Sequence, residues 1–383
     1  MKKQIVKLMT IFVVIAVCAI SLSLSGCKAA AAEETTATAK TFEEIEKNFD
    51  GELNALFLSG YGEEDAVKSF LEKYGVTLKT TYFATFDEAF NKIKTSPAGT
   101  FDLVNVNNAF VKAWVEAGIL EPLNTSLIPS WDGLFEPFKE MTFGVENDTN
   151  KYVAPFTWGT NPLNYNSEFM EKPDSWMAVL DPAVKNKVGI VDDYSNVIYH
   201  AALLTGAENP SMLKQEDMDK ALDLLRKLLA NSDKLAAGYG DLLTMFISKD
   251  IWTAFIGWEY FSIASQAEGV PLELTIPSEG SFSWCDTIAI VKDAPNMDTA
   301  YGFVNQYISQ EAEVFWGNFL ATGIVREDAL SGVDENLVKY FPYDNINKHL
   351  TEIAPMLSLP PTESDEYLTK ADWEAAWNAL KLE

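Results

Sequence analysis

The stretch LNALFLSGYGEEDAVKSFLEKYGVTLKTTYF, residues 53–83, decides the class of fold. Leu53 to Ser59 is a short apolar run typical of a buried strand, and Val76 to Phe83 alternates and is rich in β-branched residues. Between them, Glu63 to Tyr74 carries apolar residues at helical spacing, namely Ala66, Val67, Phe70, Leu71 and Tyr74. The stretch therefore predicts a strand–helix–strand unit, from which α/β proteins are built.

The same alternation continues towards the carboxyl terminus. Phe86 to Thr95 and Ala109 to Ala117 have helical patterns, and Phe101 to Val106 predicts a third strand between them. This order predicts a mostly parallel sheet with right-handed crossovers. After an irregular stretch, a second series begins, with predicted strands at Val188–Asp192, Ile251–Ile256, Pro271–Ile276 and Trp284–Val291. We therefore expect an α/β chain organised as two domains or lobes.

The first 26 residues predict export from the cell. Three lysines precede an apolar run from Ile11 to Ile20, and small residues follow as far as Gly26. We interpret residues 1–26 as a signal peptide, because the run is short for a membrane span and no second run of this kind follows. The sequence LSGC at residues 24–27 resembles the bacterial lipobox. This resemblance implies a lipid on Cys27 that anchors the chain to a membrane, and residues 27–50 are expected to be the lipidated cysteine and a flexible tether.

The composition argues against several classes of function. Of the three cysteines, Cys18 leaves with the signal and Cys27 carries lipid, so Cys285 can form neither an internal disulfide nor a cysteine metal cluster. Loss of the signal removes three lysines and changes the net charge from −27 to −27 − 3 = −30, which argues against nucleic acid as a partner. The two histidines, His200 and His349, lie in no catalytic or metal motif. A pair of carboxylates could still serve a glycosidase, but nothing marks such a pair. We expect no enzyme, no cofactor and no metal site.

Three segments place aromatic residues beside carboxylates at predicted strand ends. These are residues 191–196, 256–260 and 283–286. Alternation along the last segment puts Trp284 and Asp286 on one face of a strand. A tryptophan beside a carboxylate suits an ammonium or guanidinium group, through cation–π attraction and a charge-assisted hydrogen bond. The same pair also suits a sugar, and each residue alone could equally be a core tryptophan or a helix cap such as Asp192.

Several short motifs occur in one order along the chain. They are TFDLV at 100–104, YVAPFTWG at 152–159, SWMAVLDP at 175–182 and PLELTIPSEGSFSWCDTIAI at 271–290. In these motifs, from about Leu53 to its end, the chain resembles the spermidine/putrescine-binding proteins of ABC importers. The resemblance implies the two-lobe type II periplasmic binding protein fold, in which each lobe is a mixed, mostly parallel sheet flanked by helices and the lobes are joined by hinge crossovers. Lobe 1 is expected at 51–157 plus 286–345, and lobe 2 at 158–285 plus 346–383.

The resemblance also implies a set of ligand-binding residues between the lobes. Asn107 stands where the family has a serine, Asn196 where it has a glutamate, and Glu259 adds an acid that the family pattern lacks. Leu58, Ala109 and Ile324 replace family aromatic residues, so the site is remodelled. The expected ligand-binding residues are Ser59, Tyr61, Asn107, Asp193, Asn196, Trp258, Glu259, Trp284 and Asp286.

The expected function is that of a solute receptor at the cell surface or in the periplasm, held there by the lipid on Cys27. A polyamine is the best single expectation for the ligand. A sugar, another small cation, a short peptide or a metal complex stays open, as does a surface lipoprotein that signals or scaffolds. The expected partners are an ABC permease and ATPase, and the chain is expected to be a monomer.

Overall fold

The computed structural model describes residues 40–49, 51–143, 145, 150–232 and 234–383. The expected signal peptide, Cys27 and the polar residues up to 39 lie outside the described residues. Among the residues that the structure describes, none of the helices has both the length and the apolar character that crossing a membrane requires.

Helices flank two sheets in the described part of the chain. Several are begun by a side chain that accepts a hydrogen bond from the first turn, such as Thr85, Ser309 and Thr369. The α-helices are α1 Phe42–Ile45, α2 Lys68–Tyr74, α3 Phe86–Thr95, α4 Asn108–Glu116, α5 Glu136–Glu140, α6 Tyr194–Leu204, α7 Gln215–Asn231, α8 Tyr239–Ile247, α9 Glu259–Ala267, α10 Met297–Tyr307, α11 Gln310–Leu320, α12 Glu335–Val338, α13 Ile346–Lys348 and α14 Lys370–Leu380.

The strands form two mixed sheets of five strands each. The strands are β1 Glu52–Leu58, β2 Thr77–Phe83, β3 Leu103–Asn107, β4 Ala154–Thr160, β5 Leu163–Asn166, β6 Val188–Val191, β7 Lys234–Ala236, β8 Thr253–Phe255, β9 Leu272–Thr275 and β10 Ser283–Ile290. The first sheet has the order β2-β1-β3-β10-β4, and the second has the order β7-β6-β8-β5-β9. In each sheet two neighbouring pairs are parallel and two are antiparallel, so the expected mixed sheets are present but parallel pairs make up only half.

Each sheet carries its own apolar cores. Leu53, Phe57 and Ile288 belong to a core of the first sheet. Helices α10 and α11 contribute buried side chains to the same core. Ile190 and Phe255 belong to the core of the second sheet. We call the first sheet with its helices the first lobe and the second sheet with its helices the second lobe.

The crossovers between the lobes lie a few residues away from the expected boundaries. The boundaries expected after residues 157 and 285 fall inside β4 and β10, which pair with one another from Ser283↔Thr160 to Ile288↔Ala154 and therefore stay in one sheet. The chain instead passes between the sheets at 160–163 and again at 275–283. Past the third boundary, expected after residue 345, Ile346 and Leu350 still pack in the first lobe's core, and Leu357 is the first to join the second.

The expected tether is also shorter than residues 27–50. Thr41 and Glu44 form a capping box that begins α1, and Ile45 and Phe49 are buried in the first lobe. Apolar burial of these two side chains holds residues 41–49 against the folded domain. Any flexible tether therefore ends before Thr41.

Candidate ligand-binding cleft

A buried carboxylate, Asp286 of β10, lies at the centre of a polar group in the first lobe. The residue is only 6% exposed, and each of its carboxylate oxygens accepts a hydrogen bond. The Tyr61 hydroxyl donates to Oδ2, and Asn107 Nδ2 donates to Oδ1 at 2.7 Å. Tyr61 follows β1, and Asn107 ends β3 directly opposite Asp286 in the ladder. Three residues predicted from distant parts of the sequence are thus brought together by neighbouring strands.

Burial and hydrogen bonding shift the pKa of the Asp286 carboxyl in opposite directions. Burial raises the pKa of the Asp286 carboxyl above its usual value, against the hydrogen bonds from Tyr61 and Asn107, which lower it. Burial and the charge of Asp286 raise the pKa of the Tyr61 phenol well above its usual range, so Tyr61 remains a donor. The Tyr61 ring packs edge-to-face on Phe156, with centroids 4.9 Å apart. The carboxylate is therefore held in one orientation before any ligand arrives.

Two tryptophans from different lobes meet beside this group. Trp284 of β10 and Trp258, which follows β8, have ring centroids 5.9 Å apart in a T-shaped arrangement. The Trp284 ring lies over Gly159 of β4, where a Cβ atom would come within 2.6 Å of Cζ2. Trp284 and Asp286 occupy the same face of their strand, as alternation predicted. The tryptophan pair joins the acidic group of the first lobe to the second lobe.

The second lobe contributes a further polar cluster at the end of β6. Asp193 caps α6 by accepting from the backbone amides of Ser195 and Asn196, at 3.2 and 3.3 Å. Asn196 Nδ2 donates to Asp193 Oδ2 at 2.8 Å and to the Tyr239 hydroxyl at 2.7 Å. Asn196 Oδ1 is buried and has no hydrogen-bond partner among the residues described. The Tyr239 ring lies 6.5 Å from that of Trp258, which connects this cluster to the tryptophan pair.

The helix-cap interpretation considered for Asp192 applies to Asp193 instead. Asp192 pairs with Lys381 Nζ at 2.7 Å and accepts from Trp377 Nε1 at 2.7 Å, so it fixes the terminal helix α14 to the second sheet. Asp193, one residue later, faces the start of α6. Asp193 Oδ1 accepts from the amide and the hydroxyl of Ser195 and from the Asn196 amide, whereas Oδ2 accepts one hydrogen bond, from Asn196 Nδ2. A ligand donor would therefore use the remaining acceptor position on Oδ2.

Two of the predicted residues have surroundings that differ from those of the others. Ser59 is exposed in the turn after β1. Glu259 is 2% exposed, and its Oε1 accepts from the backbone amide of Thr160 at 2.7 Å. Its Oε2 is buried and has no hydrogen-bond partner in the described part of the chain, and burial raises the pKa of the Glu259 carboxyl to about 8. Glu259 therefore faces the first crossover between the lobes rather than Asp286.

Three polar residues that the sequence analysis passed over help to build the cleft. Tyr239 begins α8, a helix that lay in no predicted element. Asn164 Oδ1 accepts from the Trp258 amide at 2.8 Å, and Asn108 Oδ1 accepts from the Cys285 amide at 2.9 Å. The one available signal was the Asn107-Asn108 pair directly after an apolar strand, where polar side chains are brought to the edge of a sheet.

The histidines take part in packing. His200 is fully buried, its ring lies 4.1 Å from that of Trp176, and burial lowers its pKa to about 3. His349 is nearly buried, and burial lowers its pKa to about 4. Within the described ranges, no group of three or more histidine, cysteine, aspartate or glutamate side chains is placed to hold a metal ion.

The fold and the position of these residues define a class of protein. The carboxyl ends of strands with parallel neighbours, where open α/β sheets bind ligands, carry Asn107 as the last residue of β3 and are followed within three residues by Tyr61, Asp193 and Trp258. Tyr61 and Asn107 bind Asp286 in the first lobe, and Asp193 is connected to Trp258 through Asn196 and Tyr239 in the second. This is the architecture of a two-lobed solute-binding protein. Residues 65–339 match the family model of the bacterial extracellular solute-binding proteins, and the chain belongs to that family.

Curated relatives cover most of the chain. The putrescine-binding periplasmic protein PotF of Escherichia coli is 26% identical over 340 residues, which are 85% of this chain and 85% of the relative. The putrescine/agmatine-binding protein of Pseudomonas aeruginosa is 22% identical over 363 residues, which are 90% of this chain and 94% of the relative.

Solved structures share the fold. The spermidine/putrescine substrate-binding protein PotD of Streptococcus pneumoniae superposes with a TM-score of 0.71 at 19% identity, covering 87% of this chain and 98% of that one. The TpPotD lipoprotein of Treponema pallidum also gives 0.71, at 18% identity, and covers 87% of this chain and all of that one, at 100%. The expected two-lobe fold is thereby confirmed.

Proposed function

We propose that this chain is the substrate-binding lipoprotein of an ABC importer, and that it binds a small polyamine such as putrescine or spermidine between its lobes. The observation that carries the proposal is the buried Asp286 carboxylate, held by Tyr61 and Asn107 beside Trp284. Relatives that span most of the chain are named for binding putrescine, agmatine or spermidine. The bound ligand would be passed to a permease and its ATPase, and the chain itself would catalyse no reaction.

The chemistry of the cleft favours an ammonium group. Two of about four acceptor positions on the Asp286 carboxylate are used by Tyr61 and Asn107, which leaves room for donors from the ligand. Attraction between opposite charges is stronger in a site with little water than at the surface. The faces of Trp258 and Trp284 can accept the same cation or pack on the methylene groups beside it. A cationic ligand also compensates the Asp286 carboxylate for the hydration that it loses on burial.

Ligand contacts from both lobes would drive closure. In the proposed complex the first lobe contributes Tyr61, Asn107, Trp284 and Asp286, and the second contributes Asp193, Asn196 and Trp258, with Ser59 at the rim. A ligand that touches both lobes binds the closed arrangement more tightly than the open one, so binding shifts the population towards closure. Glu259 is left out of this shell because it faces Thr160.

The proposed location is the outer face of a bacterial membrane, after removal of residues 1–26 and lipidation of Cys27. The lipobox-like residues 24–27 support this, and a structural neighbour is itself a lipoprotein. In a bacterial host the full chain should sediment with membranes, whereas the Cys27→Ser variant should not be retained there by lipid. Membrane retention of Cys27→Ser equal to that of the unchanged chain would contradict the anchor.

Calorimetric titration of the chain from residue 28 onward tests the ligand. Putrescine, spermidine, a neutral sugar and an amino acid would be compared at one pH and ionic strength. We expect a polyamine to bind, and Asp286→Asn to weaken it by about tenfold to a hundredfold, because a hydrogen bond to a charged group contributes about 1.5–3 kcal/mol. Asp223→Asn, on the outer face of α7 and paired there with Arg226, removes the same charge away from the cleft and should leave binding unchanged.

A response to the sugar without a response to either polyamine would overturn the amine proposal. Equal losses in Asp286→Asn and Asp223→Asn would show that net charge, and not the Asp286 site, attracts the ligand.

A further inference from the structure

We propose that Glu259 is a positioning residue, which ties the turn that carries Trp258 to the first crossover at Thr160 and so holds the Trp258 ring ready for the ligand. This inference rests on the proposed function, because it concerns the same cleft. The sequence suggested instead that Glu259 adds a charge next to the ligand. The two roles make opposite predictions.

The turn before Trp258 has a backbone conformation that must be held from outside. Ile256 has a φ of +71°, which is rare and strained for a β-branched residue. A Cβ atom on Gly257 would lie 1.7 Å from Asn164 Oδ1, so only glycine fits this approach. The Gly257 amide donates to the Pro162 carbonyl at 2.8 Å, and the Trp258 amide donates to Asn164 Oδ1 at 2.8 Å. Hydrogen bonds thus hold the turn against the first crossover, at Pro162, and against β5, at Asn164.

Glu259 extends this fastening to the other lobe. Its Oε1 accepts from the amide of Thr160, the last residue of β4, and Glu259 itself is the first residue of α9 in the second lobe. The Thr160 hydroxyl is hydrogen-bonded to His349 Nε2 at 2.9 Å. Glu259, Thr160 and His349 therefore form a buried series of hydrogen bonds across the crossover, and Glu259 directly follows Trp258 in the sequence.

The surroundings of Glu259 favour its uncharged form. Oε2 is buried and has no hydrogen-bond partner among the described residues. Burial raises the pKa of Glu259 by more than the hydrogen bonds from Thr160 lower it, so an ionised carboxylate in that position would be poorly compensated. The ionisable groups nearby are His349, reached through Thr160, and Tyr343; burial keeps both neutral, lowering the pKa of His349 to about 4 and raising that of Tyr343. The pKa of Glu259 is raised to about 8, so loss of its proton near that pH creates a charge that none of the described cationic side chains compensates.

The pH dependence of binding separates the two roles. If Glu259 positions Trp258, ionisation disturbs the turn and polyamine affinity falls as the pH rises through about 8. If Glu259 faces the ligand directly, ionisation adds an attractive charge and affinity rises over the same range. Ionisation of the ligand itself affects all variants equally, so it cancels when each variant is compared with another at the same pH.

The experiment measures the Kd for putrescine from about pH 6.5 to about pH 9 in the unchanged chain, Glu259→Gln, Glu259→Ala and Glu268→Gln. Glu259→Gln keeps the acceptor for Thr160, so it should restore much of the affinity that Glu259→Ala loses. Relative to Glu259→Gln, the affinity of the unchanged chain should fall by up to about tenfold per pH unit above about pH 8. Glu268→Gln, exposed at the end of the same helix, should follow the unchanged chain.

A second readout needs no ligand. Tryptophan fluorescence of the free chain should change with a midpoint near pH 8, and the change should be absent from Glu259→Gln and from Trp258→Phe. If putrescine fails to bind but this transition is present, the proposed function falls and the positioning role stands. An affinity that rises through pH 8 relative to Glu259→Gln, or a transition that persists in Glu259→Gln, overturns the inference even if Glu259→Ala does not fold.

Discussion

A buried carboxyl group without a compensating charge makes the stability of a protein depend on pH. The carboxyl of Glu259 has an ordinary pKa of 4.5 in the unfolded chain and one of about 8 in the folded chain. Between these values the folded chain retains a proton that the unfolded chain has lost, so raising the pH favours unfolding. Above about pH 8 both states have lost the proton and the effect is complete.

The free energy of unfolding of Glu259→Gln should therefore increase relative to that of the unchanged chain as the pH rises. We expect the free energy of unfolding of the unchanged chain to fall, relative to Glu259→Gln, by at most about 1.4 kcal/mol per pH unit between about pH 4.5 and about pH 8. Urea denaturation at several pH values measures this difference, and Glu268→Gln is the control. A constant difference across the range would mean that Glu259 is already ionised in the folded chain.

Some site residues could be predicted from the sequence because they depend on local order. Alternation along one strand was enough to place Trp284 and Asp286 on a common face. Tyr61 and Asn107, in contrast, were expected only from the resemblance to the spermidine/putrescine-binding proteins. The position of Glu259 could not be predicted in this way. Its partner Thr160 lies 99 positions away, and the contact exists only because the crossover brings β4 to the start of α9.

At the scale of elements, the contact between β4 and β10 determines where Trp284 lies. Trp284 is paired with Gly159 across the antiparallel ladder, and the absence of a side chain at Gly159 leaves room for the indole ring. The ladder shifts register between Asp286 and Thr287, directly after the site. Such irregularities re-aim side chains near functional sites.

Replacing Gly159 should displace the Trp284 ring. In Gly159→Ala the new methyl group would meet Cζ2 at 2.6 Å, so we expect a loss of about 1–3 kcal/mol in stability and weaker polyamine binding. Gly240→Ala in α8, where a Cβ atom meets nothing within 4 Å, should be neutral or slightly stabilising. Thermal unfolding and calorimetric titration of both variants measure these effects. If Gly159→Ala is destabilised but binds the polyamine as the unchanged chain does, the position of the Trp284 ring does not affect binding.

The elements that the sequence predicted well are those with a long, regular pattern. The first strand–helix–strand unit is present as β1, α2 and β2, and the strand predicted at 284–291 is β10, shifted by one residue. The segments β5, β7, α8 and α9 are among those that were missed. The strands β5 and β7 have four and three residues and pair with distant strands, and the buried face of α9 includes the polar Glu259, Ser262 and Ser265, so α9 shows no apolar stripe at helical spacing. For the same reason the antiparallel insertion of β10 between β3 and β4 could not be read from local order.

At the scale of the whole molecule, polar contacts hold the two lobes in the arrangement described. Lys370 of α14 in the second lobe pairs with Asp87 of α3 in the first lobe at 2.9 Å, and its Nζ lies 5.7 Å from the centroid of the Phe110 ring. Tyr340 of the first lobe donates to Gln266 Oε1 of α9 at 2.9 Å. Lys370 is the first residue of its helix, where the helix dipole disfavours a cation, so its charge is better explained by Asp87 than by α14.

These contacts should slow the release of a bound ligand. Lys370→Met retains apolar contact with Phe110 but loses the charge, so dissociation of putrescine should accelerate by a few-fold at most, since an exposed ion pair contributes about 0–1 kcal/mol. The effect should vanish at about 1 M salt, where charges are screened within about 3 Å. Tyr340→Phe removes an uncharged contact and should accelerate release equally at low and high salt. Lys220→Met removes a lysine paired within α7, at 2.8 Å from Glu216, and should leave the rate unchanged.

Stopped-flow tryptophan fluorescence measures the dissociation rate of putrescine from the unchanged chain and from the three variants. A salt-independent effect of Lys370→Met, or an equal effect of Lys220→Met, would show that the cross-lobe ion pair does not control opening, because only an electrostatic contact between the lobes combines salt sensitivity with dependence on position.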